Sequence, residues 1–198
     1  MGDNRVYLSV DLDFWQQRFP KTYFDALAHL PVPKCLVVSH EQMLSHVNKQ
    51  DFDVLANVDF HSDIADLNPR HPRQPELCDG TWVNHVYGRK KRTFVWSCPN
   101  RGVCLDQLCG TCHSVTNPFL TKTPMEDAGW KHIVCRERWY PALSDVVGIG
   151  IAVSPEFTCT KILKKFLTWM DTKVDNFHLL PYRQTRRGVR KAVLQMVC

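Results

Sequence analysis

No stretch of this chain approaches the ~20 consecutive apolar residues of a membrane-crossing helix, so no such span is expected. The opening residues, MGDNRVYLSV, lack the basic segment and apolar core of a secretory signal and the Ser or Thr that a myristoylation signal requires; a cytoplasmic location is the expectation. No internal repeat or low-complexity tract stands out, which argues against a solenoid or a disordered linker. Excess charge of one sign is also small. The 25 Lys and Arg against 20 Asp and Glu leave +5, a balance too mild to imply nucleic acid by itself. The basic stretches GRKKR (88–92) and YRQTRRGVRK (182–191) lack the interleaved aromatics of a single-strand binder and read as solvated faces. If the second is helical, Arg183, Arg187 and Arg190 or Lys191 share a side that could meet an acidic partner or phosphate. A disulfide framework is missing too: the nine cysteines are odd in number, and Cys35, Cys78, Cys135, Cys159 and Cys198 are scattered, so reduced thiols are expected.

What is present suits one ordered globular domain spanning 1–198, with 44 % hydrophobic residues. A strand is expected from Arg5 to Val10, ending in Asp11 and Asp13. A helix follows in QQRFPKTYFDALAHL and closes at Pro31 and Pro33. KCLVVSH reads as a strand stopping at His40 and leading into a helix through EQMLSHVNKQ, and DVLANVDFHSDI supplies the third strand. Residues 68–76, NPRHPRQPE, read as a proline-rich loop, and TWVNHVYGRKKRTFVWSC as two strands around GRKKR. DVVGIGIAVSPEF is a further buried strand, and TKILKKFLTWM a helix with Ile162, Leu163, Phe166, Leu167 and Met170 on one face. Strands alternating with helical connections predict an α/β fold: three layers, with a mostly parallel sheet flanked by helices.

Three of these strands end in ligand-type side chains. Alternation along a strand would set Asp11 with Asp13, and Asp59 with His61 and Asp63, on common faces. Ligands of open parallel sheets sit beyond the carboxyl ends of the strands. If the three ends are neighbours, four carboxylates and two imidazoles, counting His40, meet in one crevice. Each like-charged pair ~4 Å apart costs on the order of 4 kcal/mol at an effective dielectric of ~20, and divalent cations relieve that at neutral pH. Oxygen-rich ligands with a minority of imidazole suit Mn2+ or a similar ion, and six such residues can hold two. The plainer alternative is a set of helix caps and solvated strand ends.

DFHSD resembles the DAHxD motif of the arginase, agmatinase and histone-deacetylase-like superfamily, and LSVDLDFW resembles its SxDxDxxDP motif. SHEQ resembles the segment that brings the remaining metal-binding histidine. The motif order here looks circularly permuted, because the DxD strand comes first rather than last; that order is similar to an arginase-like family that includes the peptide arginases. The resemblance implies an arginase-like fold and two Mn2+ or similar ions, one held by Asp11, His40, Asp59 and Asp63 and the other by Asp11, Asp13, Asp59 and His61. It further implies a bridging hydroxide that attacks a guanidinium carbon, oriented by Asp13, with release of urea. A proton shuttle near neutral pH would be a histidine, His85 first and His71 as its competitor. Glu156 is placed to pair with a guanidinium, against the plainer reading of a solvated helix-start glutamate. Asp79 and Trp82 could line the mouth.

Residues 97–124 are rich in Cys, Pro, Gly and Thr and read as an insertion. Within them CPNRGVCLDQLCGTC offers Cys98, Cys104, Cys109 and Cys112 for one structural Zn2+, with His113 a substitute; a redox CxxC or plain free thiols are the alternatives. The leading expectation is thus a hydrolase of a C–N bond whose substrate is guanidino-bearing, either free arginine or arginine within a peptide or protein. Its rivals are a deacetylase-like amide hydrolase using one metal, and a non-enzymatic binding module built on the cysteine knot and basic tail.

Overall fold

The computed structural model describes residues 5–61, 63, 77, 80–86, 92–99, 130–173, 177–179 and 191. Its strands are β1 (Val6–Asp11), β2 (Lys34–Val37), β3 (Val54–Val58), β4 (Arg92–Cys98), β5 (Trp130–Glu137), β6 (Val146–Ala152) and β7 (His178–Leu179). Its helices are α1 (Lys21–His29), α2 (Leu44–Val47) and α3 (Thr160–Lys173). Among the described residues the strands form one seven-stranded sheet in the order β5-β4-β3-β1-β6-β2-β7. Every pairing in it is parallel. The fold is α/β, as expected.

Alternation along β1 explains how the sheet separates two cores. Val6, Leu8 and Val10 face one side, where they meet Phe24 and Leu27 of α1 and Ile162, Leu163, Phe166 and Met170 of α3. Tyr7 faces the other, with Cys35, Val37, Leu55, Phe94 and Trp96 of neighbouring strands and Met43, Val47, Phe52, Trp82 and Val83 above them. Apolar positions on both faces of the inner strands are what a parallel sheet covered on both sides requires. Across the first core, Trp169 Nε1 donates to Asp25 Oδ1 at 2.9 Å and ties α3 to α1.

On the second face, β6 contributes glycine where bulk would collide. A Cβ on Gly148 would stand 2.9 Å from Tyr7 Cδ2, and one on Gly150 only 2.1 Å from Met43 Sδ. The bare position at Gly150 lets Met43 lie flat on the sheet, and Gly148 makes the same room for the Tyr7 ring; Met43 ends the 3-10 turn His40–Met43.

Several elements differ from those expected. TWVNH is a 3-10 turn, Trp82–His85, and not a strand; the turn buries Trp82, Val83 and Val86 together in the second core. No hairpin surrounds GRKKR either, since β4 pairs in parallel with β3 and with β5. The strands β5 and β7 were not expected at all. The proline-rich loop at 68–76, His71, Asp79 and nearly all of the basic tail lie outside the described residues. So do Cys104, Cys109, Cys112 and His113. Cys98 alone of the proposed zinc ligands is described, and it ends β4 buried in the second core.

Candidate metal centre

Four adjacent strands, β3, β1, β6 and β2, deliver their carboxyl ends to one place. From β1 the chain passes to β2 on one flank, then returns to β3 on the other, so the crevice beyond β1 is where the order of winding reverses. That is where an open parallel sheet binds its ligands.

All six predicted ligands gather there. Asp11 is the last residue of β1, but Asp13 does not follow it by strand alternation: it sits in the 3-10 turn Leu12–Phe14, whose Asp13 N–H donates to Asp11 Oδ1 at 3.0 Å. Likewise β3 ends at Val58, and the chain bends so that His61 N–H donates to Asp59 Oδ1 at 2.8 Å. Phe60 N–H reaches Asp13 Oδ1 at 3.2 Å and stitches the two loops together. Convergence thus comes from carboxylates capping their own turns, which overrides the shared-face expectation.

His40 enters from the turn after β2 and is 1 % exposed. Its Nδ1 lies 3.3 Å from Asp11 Oδ2, 3.2 Å from Asp59 Oδ2 and 2.9 Å from Asp63 Oδ2. On the outer side, His61 Nδ1 lies 3.1 Å from Asp13 Oδ2 and 4.0 Å from Asp59 Oδ1, with its side chain 46 % exposed. Two groups therefore have the spacing of a cation site, Asp11–His40–Asp59 and Asp13–Asp59–His61, each with one ligand atom per residue inside a 4.8 Å span. Asp59 belongs to both.

Neutral side chains hold the carboxylates. Ser154 Oγ donates to Asp11 Oδ2, Asn57 Nδ2 to Asp59 Oδ2 at 3.2 Å and Asp63 Oδ2 at 3.4 Å, and Trp82 Nε1 to Asp63 Oδ2 at 2.6 Å. Ser9 Oγ sits 2.7 Å from His40 Nε2. Asp63 and Ser154 both take positive φ, 56° and 40°. Such a conformation costs a non-glycine residue about 1–3 kcal/mol and collects at functional sites.

Charge is the unsolved problem of these residues taken alone. Four carboxylates face two imidazoles in a nearly dry crevice. Burial, then Asp11 and Asp59, push the Asp13 carboxyl well above the carboxylate range against the pull of His61. Burial, then Asp63 and Asp11, do the same to Asp59 against His40. Burial draws His40 down, but Asp63 and hydrogen bonds from Asp11, Asp59 and Asp63 carry it well above its usual value. The hydrogen bond to Asp13 leads the rise of His61 to about 9, against burial. Left to themselves, the residues hold protons to relieve repulsion. Two divalent cations would replace those protons charge for charge, with carboxylate oxygens and imidazole nitrogens as donors, so the set fits a hard-to-borderline pair of ions.

Of the other candidates, His85 and Glu156 are described, each within a few residues along the chain of a ring that meets a cluster histidine. His85 ends the turn that Trp82 begins; it is half-buried, and its carbonyl accepts from Asn48 Nδ2 at 3.4 Å. Glu156 is exposed in the turn after Ser154, next to Phe157, which is 53 % exposed and whose ring meets His61 edge-on at 5.5 Å. Sequence reasoning passed over Ser9, Asn57 and Ser154, and left Trp82 without a role.

No family model, curated protein or solved structure matches this chain.

Proposed function

We propose that the cluster is a two-cation centre of an arginase-like hydrolase that splits a C–N bond of a guanidino group, in free arginine or in an arginine within a peptide. Water and the guanidino group would become urea and the ornithine amine. The observation that carries this reading is the placing of Asp59 in both potential ligand groups, with a histidine Nδ1 at the far side of each. The motif resemblance supports the guanidino class in particular.

Asp11, His40, Asp59 and Asp63 would hold the inner ion, and Asp11, Asp13, Asp59 and His61 the outer. The ions would supply positive charge and bring water toward its nucleophilic form near neutral pH. The chain's own part is orientation. Asp13, fixed through Oδ1 by Phe60 N–H, would orient the attacking water. Glu156 would pair with the guanidinium fork, and His85 would pass the proton to the departing amine.

Urea release tests this, measured with Mn2+ on free arginine and on an arginine-containing peptide. Turnover of at least one is expected from the native chain, with loss of ~10³-fold or more in Asp59→Ala, as when a group acting as part of a catalytic unit is removed. Release of acetate from an acetyl-lysine peptide, with none of urea, would move the assignment to the deacetylase-like reading. Activity that survives Asp59→Ala would remove the centre from the mechanism.

A further inference from the structure

Trp82 has no capacity to ligate a cation, yet it touches two of the inner ligands. Its ring lies stacked on His40, centroids 4.7 Å apart at an interplanar angle of 29°. Its Nε1–H donates to Asp63 Oδ2 at 2.6 Å. Both partners are interior: Trp82 is fully buried and Asp63 is 4 % exposed.

A buried indole N–H needs an acceptor, and a buried carboxylate needs donors. Here the two satisfy one another at a residue whose backbone sits in the left-handed region, where something outside the backbone must compensate the strain. Asn57 Nδ2 supplies a second donor, shared between Asp63 and Asp59. Indole and carboxamide do not titrate, so this hold on Asp63 persists whichever protons the cluster carries. The stacked ring meanwhile limits His40 to a tilt that keeps Nδ1 among the three carboxylates.

We propose that Trp82 is a positioning residue: its N–H fixes Asp63 and its ring face fixes His40, so that the inner ligand group stands assembled before a cation arrives. This rests on the metal-centre reading above. Ordering four ligands at the moment of binding costs conformational entropy, and a pre-assembled set avoids that cost. Partners standing behind a ligand typically govern metal affinity by 10–100-fold. A tryptophan that merely filled the core would act through its ring and not through its N–H.

Trp82→Phe separates these roles, because it keeps a ring against His40 and removes the donor. Calorimetric titration of the metal-free full chain with MnCl2 would compare native protein, Trp82→Phe, Asp63→Ala and the double variant. Trp82→Phe is expected to weaken one of the two binding steps by about 10-fold or more and to leave the other within about 2-fold. In the Asp63→Ala background the same change is expected to cost nothing further. Equal affinities for Trp82→Phe and native protein, or an equal loss with and without Asp63, would overturn the role. Native protein that binds no Mn2+ would sink the metal centre and this role together; binding without urea release would sink only the guanidino assignment. Should Trp82→Phe not fold, the indole protons decide. One of the six tryptophan signals is expected far downfield in native protein and upfield in Asp63→Ala, and no responding signal would contradict the hydrogen bond.

Discussion

His40 comes to the cluster with one ring nitrogen already committed. His40 Nε2 lies 2.7 Å from Ser9 Oγ; with a cation at Nδ1 the imidazole would donate through Nε2 to that hydroxyl, and such outer partners set both tautomer and orientation. Ser9→Ala removes that restraint without touching a ligand. Mn2+ affinity is expected to fall by about 10–100-fold, read by calorimetry, with far-UV circular dichroism unchanged; undiminished affinity would show that Ser9 sets nothing. Ser9 and Asn57 do leave a signal in the sequence. Each stands two residues before a proposed ligand, Asp11 and Asp59, as a fully buried polar residue inside an otherwise apolar strand. A polar side chain buried there must have a partner, and strand alternation aims it at the same face as the ligand that follows. Trp82 offered no comparable signal, since a tryptophan in a core needs no functional reason.

At the scale of elements, the position of His40 depends on β6. Met43 closes the turn that His40 opens and lies over Gly150, where an added Cβ would meet Met43 Sδ at 2.1 Å and Met43 Cε at 2.6 Å. Met43 is fully buried, so its flexible side chain has no solvent to retreat into. Gly150→Ala is expected to destabilise the fold by about 1–3 kcal/mol, the usual cost of overpacking, seen in the urea midpoint. It should also weaken metal binding by lifting the turn, whereas an effect on neither would place Met43 elsewhere. β1 and β3 were readable because each is a short, largely apolar run that gives way to an aspartate. β5 escaped because WKHIVCRE mixes charged with apolar residues, as a strand that among the described residues pairs only with β4 can do. β7 spans two residues and leaves no pattern to read. The turn Trp82–His85 was misread because Trp and Val favour strands in isolation, and burial of the indole against Asp63 outweighs that preference.

For the molecule as a whole, the Asp/His cluster ties stability to pH, and in the proposed centre the sign depends on whether cations are present. Asp13, Asp59, His40 and His61 all have folded pKa values above their ordinary ones. In the metal-free chain their stabilisation is complete below the unfolded values and is lost as pH rises, for His61 between 6.5 and about 9. His46 works the other way. Burial, with His178 and Lys49 adding to it, holds it down at about 4, so its share disappears as pH falls from 6.5. Cations require the ligands unprotonated, so their stabilisation grows as pH rises. Subtracting the unfolding midpoint of chelator-treated protein from that with Mn2+ cancels His46. The difference is expected to widen steadily from pH 5 to pH 8, and a difference independent of pH would mean that the ions bind elsewhere. Among the described residues no helix is long and apolar enough to cross a membrane.

Anomalous scattering from a crystal grown with Mn2+ measures the centre most directly. Two peaks are expected on either side of the Asp59 carboxylate, one in contact with His40 Nδ1 and the other with His61 Nδ1. A crystal that shows no peak in this crevice, with the six side chains ordered around it, would contradict the two-cation centre.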